Sequence, residues 1–110
     1  MPNTFLRKTS RNVGTSAATV GSYTVGSSTQ TTIIGLTCAN TTTSAITVDV
    51  QHNDGSNDTF LVKAATVPAG ASIVIVGGDQ KVVLQTGDSI KVTSSAATSV
   101  DVMMSILETT

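Results

Sequence analysis

The chain has 110 residues, 39% of them hydrophobic and 12% charged, and six basic side chains against seven acidic ones leave a formal net charge of −1. That length fits one domain around a single core. The charge balance offers no overall electrostatic handle for nucleic acid or membrane lipid, so neither is an expected partner.

Thr, Val and Ser recur from end to end. Thr and Val are branched at Cβ, which suits a pleated strand and costs side-chain freedom in a helix, so the expectation is a chain of strands. The N-terminus lacks the apolar run of a secretory signal, and no stretch approaches the ~18–20 apolar residues of a membrane span. Synthesis in a cytoplasm is expected, with a final place in a larger assembly left open.

Residues 1–15 read as an N-terminal arm. Arg7, Lys8 and Arg11 are half of the basic residues, and no acidic residue appears before Asp49. The arm is either a solvated terminus or a basic segment that docks on an acidic neighbouring subunit. Residues 16–110 read as the folded domain. Ser16 to Val25 is weakly patterned and fits an edge strand broken at Gly21 and Gly26. In Gln30 to Cys38 the apolar residues Ile34, Leu36 and Cys38 share one face.

Ala45 to Gln51 alternates clearly, with Ile46, Val48 and Val50 opposite Thr47, Asp49 and Gln51. Asn53 to Asp58 contains an Asp-Gly turn signal, and Thr59 to Val67 follows with Phe60, Val62 and Ala64 in phase, so the two runs predict a hairpin. After the Pro68-Ala69-Gly70 turn, Ser72 to Val76 is apolar on both faces, which predicts burial on two sides. Gly77 to Lys81 reads as a hairpin connection. Val82 and Leu84, then Ile90 and Val92, point inward on the next two strands. The last, Ser99 to Leu107, turns Val100, Val102, Met104 and Ile106 in, and Met103 and Leu107 out.

Strands separated by Gly, Pro and Asn/Asp turns at this spacing predict an all-β fold. The expected architecture is a single antiparallel β-sandwich or jelly-roll-like domain of about seven to eight strands with an N-terminal arm.

Candidate chemistry is sparse. Cys38 and His52 are the one cysteine and the one histidine. A Cys–His pair oriented by Asp49 or Asp54 would be the minimal nucleophilic constellation. Cys38 is nonetheless in phase with core residues and reads as an inert buried thiol. Asn53 to Asp58 has the oxygen ligands of a calcium loop but not its spacing, and the same residues are what a tight hairpin needs. Gly77 to Lys81 lacks the spacing and following helix of a phosphate loop. With no tryptophan, one tyrosine and two phenylalanines, stacking platforms for glycans or single strands are scarce. No catalytic residue, metal site or cofactor is expected.

Apolar surface without an obvious cover is the positive feature. Leu61, Met103 and Leu107 lie opposite the predicted core faces, Val74 and Val76 belong to the strand that is apolar on both sides, and such a patch is either covered by the N-terminal third of the chain or marks a subunit interface. Together with Arg7, Lys8 and Arg11 they form the candidate interface of a chain expected to be a homo-oligomer.

The run from Asp58 to Glu108 contains a Phe-Leu-Val strand, Val-Pro-Ala-Gly, Ile-Val-Ile-Val, Leu-Gln-Thr-Gly-Asp-Ser-Ile-Lys-Val and Ser-Val-Asp-Val-Met-Met-Ser-Ile-Leu-Glu. It resembles small β-sandwich virion structural proteins of tailed bacteriophages, notably those of marine and cyanobacterial hosts. The resemblance implies a non-enzymatic virion component that decorates or joins larger shells. Such a chain is a capsid decoration or cement protein, or a neck or tail accessory protein, and its partners are other virion proteins. The alternative is a receptor- or glycan-binding module of a tail fibre.

Overall fold

A computed structural model describes residues 3–77 and 80–110. Among them lie nine strands: β1 (Asn3–Val13), β2 (Ala18–Thr19), β3 (Gln30–Asn40), β4 (Ile46–Asn53), β5 (Asp58–Val67), β6 (Ser72–Val76), β7 (Val82–Leu84), β8 (Ser89–Ser94) and β9 (Val100–Thr109). A 3-10 turn, Val20–Ser22, follows β2. Every pairing is antiparallel. One sheet runs β1-β9-β3-β6 with β7 also on β3, and the other runs β2-β8-β4-β5.

β9 pairs along the whole of β3, from Gln30–Thr109 to Asn40–Val100. β6 pairs with residues 36–39 of β3 and β7 with residues 31–33, so both must lie on its other side. They are one edge strand interrupted between Val76 and Val82. Counted so, eight strands fill two four-stranded layers. The chain crosses between the layers repeatedly, which is the double-sheet jelly roll.

The layers bury one core. Ile33, Leu36, Met104 and Ile106 from the first sheet meet Val48, Val50, Ile90 and Val92 from the second, all essentially inaccessible to solvent. The alternation predicted for β4, β8 and β9 is the alternation found. The predicted β4–β5 hairpin is present too, paired from Ile46–Val67 to Asn53–Asp58.

Several expectations are corrected. Residues 3–13 of the predicted arm form β1, paired with β9 from Asn3–Thr109 to Val13–Val100, with Leu6 and Val13 packed on the core. Their polar text hides a strand because an edge strand buries little, and its basic residues discourage pairing with a further chain. The segment after Ser16 contributes only the two residues of β2 before the 3-10 turn. Gly77 to Lys81 does not reverse the chain, since β6 and β7 follow the same partner in the same direction; Gly78 and Asp79 lie outside the described residues, as do Met1 and Pro2 of the arm.

Bulges account for the remaining differences. On β3 the register shifts between Ile33 and Gly35, so Ile33 is buried and Ile34 only partly. On β5 two shifts opposite β4 expose Phe60 and Ala64, while Leu61 and Val62 pack on the core. On β6 a shift places Val76 opposite Leu36, where it is fully buried, while Val74 points out. The β3 bulge predicts an asymmetry between neighbours. Ile33→Ala should cost about 2–5 kcal/mol in urea unfolding, and Ile34→Ala about 1 kcal/mol or less. Equal losses would contradict the register.

Candidate functional site

The candidate site is the outer face of the five-stranded sheet. Strand register builds it in rows. Phe5, Leu107, Thr32 and Val83 form one row across β1, β9, β3 and β7. Thr9, Met103, Thr37 and Val74 form a second across β1, β9, β3 and β6. Between them run Arg7, Ser105 and Gly35. Phe5 is 74% exposed, Val74 66%, Val83 62% and Met103 53%. These are four of the five large hydrophobics most exposed among the described residues; the fifth, Phe60, lies on the other sheet.

A hollow of about 310 Å³ opens beside Met103, its walls formed by Thr9, Arg11, Thr37, Ala39 and Asp101 as well as Met103 itself. Asp101 holds the hollow's rim by accepting the Asn12 N–H at 3.0 Å. The outer face of the second sheet is different in kind. There Thr47, Asp49 and Gln51 on β4 lie beside Lys91 and Thr93 on β8. Four of the five exposed large hydrophobics thus lie on one side of the sandwich, among Arg7, Thr9, Thr32, Thr37 and Ser105, and the fifth, Phe60, lies on the other.

Of the residues singled out from sequence, Arg7, Val74, Met103 and Leu107 come together on this face, with Arg11 at the hollow. Lys8 points the other way, its Nζ 5.1 Å from the centre of the Tyr23 ring. Val76 and Leu61 belong to the core side, for the bulge reasons above. Phe5 and Val83 were missed. Val83 was legible as the residue between inward Val82 and Leu84, whereas Phe5 needed β1 to be recognised as a strand.

Cys38 and His52 are not brought together. Cys38 sits on β3 inside the core, and burial pushes its thiol up to about 11, which suppresses the nucleophilic thiolate. His52, on β4, bonds through Nε2 to Asp88 Oδ2 at 2.8 Å. The same oxygen accepts the Gln85 N–H at 2.9 Å, so the pair ties the β4 end to the turn before β8. The Asn53–Asp58 loop is occupied with its own turn. Asp54 Oδ1 accepts the N–H groups of Asn57 at 2.7 Å and Ser56 at 3.0 Å, which hold its carboxyl below the usual range. Asp58 Oδ1 accepts from Asn53 Nδ2 at 2.6 Å. Among the described residues no three His, Cys, Asp or Glu side chains cluster as metal ligands would.

Two buried acids of high pKa set an alkaline limit. Tyr23 donates to Glu108 and is pushed up to about 12 by burial and then by that carboxylate. Tyr23 and Cys38 thus both resist ionising in the fold more than in the unfolded chain. Their contribution is therefore complete below about pH 9 and is lost as pH rises toward about 12. The Cys38 share is on the order of 2–3 kcal/mol. Denaturation midpoints of Cys38→Ala should fall less steeply between pH 9 and 11 than those of the parent; identical slopes would contradict this.

No known family model matches the chain, and no curated protein matches it in sequence. Solved structures do. A protein of Bacillus endospore appendages, described as disulfide-linked pili, is 17% identical with a TM-score of 0.52, over 100% of this chain and 91% of its own. The virus-like particle of the extra small virus of the giant freshwater prawn, Macrobrachium rosenbergii, is 20% identical with a TM-score of 0.43, over 97% of this chain and 77% of its own. Infectious bursal disease virus, Gx strain, is 12% identical with a TM-score of 0.48 over 96% of this chain, but only 28% of that one. At 17% identity the likeness to the appendage protein is one of fold, and it agrees with the β-sandwich described above.

Proposed function

We propose that the chain is a non-enzymatic structural subunit of a virion. It decorates or joins a larger shell, as a capsid decoration or cement protein or a neck or tail accessory protein, by laying the outer face of its five-stranded sheet against neighbouring subunits. The observation that carries this reading is the asymmetry of the sandwich, in which exposed Phe5, Val74, Val83 and Met103 share one face. The resemblance of Asp58 to Glu108 to small phage virion proteins supports it. So does the likeness of fold to a pilus component. That pilus is described as disulfide-linked, whereas Cys38 here is wholly buried, so the contacts proposed for this chain are non-covalent.

The rival reading as a glycan-binding module would rest on two exposed rings on opposite sheets, Phe5 and Phe60, the second with Lys63 Nζ 4.6 Å from its centre. The test is to purify particles from the producing host and image them with the chain labelled. A fixed copy number at one location on the head, neck or tail is expected. Recovery of the chain entirely as free protein, with none in particles, would overturn the reading.

A further inference from the structure

We infer that the outer face of the five-stranded sheet is covered by a second copy of this chain, packed sheet on sheet about a two-fold axis that passes beside Met103. The inference rests on the structural-subunit reading and names the partner of its interface.

The size of the face suits such a pair. Strands of eleven residues, the length of β1 and β3, run about 36 Å, and four strands side by side span about 19 Å. Each copy therefore offers on the order of 600–700 Å², and the pair would bury roughly 1,200–1,400 Å², the lower part of the range of specific, stable interfaces.

The shape suits it as well. A two-fold interface must be complementary to itself, because whatever residue i meets on the partner, the partner meets on residue i. Met103 projects from the sheet, and the hollow beside it has Met103 on its own rim. An axis at that rim seats each Met103 in the other copy's hollow. The small residues Gly35 and Thr37 on β3 leave room for the approach of two sheets at about 10 Å.

Charge adds direction. Arg11 and Asp101 flank the same hollow, so the axis sets Arg11 of each copy against Asp101 of the other. The pair is closed on this face, since each copy covers the other, and the outer faces of the second sheets, with Phe60, are left to meet the rest of the shell. Closure yields a discrete dimer rather than a filament.

Sedimentation velocity of the free chain tests this. The parent should sediment as a dimer at tens of micromolar. Met103→Asp should weaken the dimer by about 30-fold or more, the effect of losing a central interface anchor. At a dilution where both are monomeric its melting curve should follow that of the parent, because Met103 is exposed in the single chain. Phe60→Asp, on the other sheet, should leave the dimer intact. Met103→Cys should be joined to its partner by a bis-maleimide long enough to bridge sheets about 10 Å apart, the buried Cys38 taking no part, while Phe60→Cys should not. A monomeric parent, or cross-linking at residue 60 in place of 103, would overturn the second-copy assignment. Failure of the shell reading shows separately, as a chain absent from particles. A monomer in solution that is built into particles would overturn this inference and leave that reading standing.

Discussion

Replacing Asn40 with alanine should destabilise the fold by about 2–4 kcal/mol, among the largest losses for any polar residue in the chain. Asn40 ends β3 and is buried. Its Nδ2 donates to the carbonyls of Ser44 at 2.8 Å, Val67 at 3.0 Å and Pro68 at 3.2 Å. Its Oδ1 accepts the Thr42 N–H at 2.9 Å and the Thr42 hydroxyl at 2.7 Å. One side chain thus joins the end of a strand in the first sheet to the β3–β4 loop and to the end of β5 in the second. Alanine leaves the Val67 carbonyl buried without that donor, and each such orphan costs about 1–3 kcal/mol. Asn40→Asp sharpens the test. It keeps the acceptor for Thr42 but turns a carboxylate toward three carbonyls. The folded state then resists ionisation, so the variant should be relatively more stable near pH 4 than near pH 7. Urea unfolding at both values measures it. A loss under about 1 kcal/mol for Asn40→Ala would show that water replaces the side chain without penalty.

Gly21→Val should cost about 3 kcal/mol or more, and should do so locally. Gly21 lies in the 3-10 turn with φ at 59°. Its N–H donates to Ser10 Oγ at 2.9 Å, which fastens the turn to β1. A Cβ there would stand 2.8 Å from Lys8 Cβ and 3.3 Å from Lys8 Cα, so β1 must shift. A β-branched residue also disfavours the left-handed backbone, by about 1–2 kcal/mol before any clash. Amide exchange should quicken along the middle of β1 while the β4–β8 ladder keeps its protection. A Gly21→Val variant as stable as the parent would mean that β1 is not seated on the turn.

Much of this molecule was legible before any coordinates. Where one face of a strand meets the core without interruption, as at Ile46 to Val50, Ile90 to Val92 and Val100 to Ile106, period-two alternation is the physical consequence of burial and can be read directly. The outward positions Met103 and Leu107 came from the same phase, whereas Val74 was singled out together with Val76 on a strand read as apolar on both faces. The misreadings have two causes. Bulges insert one residue and reverse every later assignment, which moved Ile34 outward, brought Leu61 onto the core and buried Val76. Edge position removes the pattern altogether. Thr4 to Arg11 carries too little apolar text to announce a strand, yet its partner β9 holds it along nearly its whole length. The interrupted β6–β7 edge was concealed in another way, because a glycine pair between two apolar runs carries the same signal as a reversing turn.

The central claim is that the face bearing Met103 is covered when the protein is in its assembled state. Peroxide oxidation followed by mass spectrometry measures this with a control beside it, since Met104 is buried in the core and Met103 is 53% exposed in the single chain. In the chain diluted to a monomer, Met103 should oxidise far faster than Met104. In the assembled state the rate at Met103 should fall to near that of Met104. Equal rapid oxidation of Met103 in the diluted and assembled states would contradict the account.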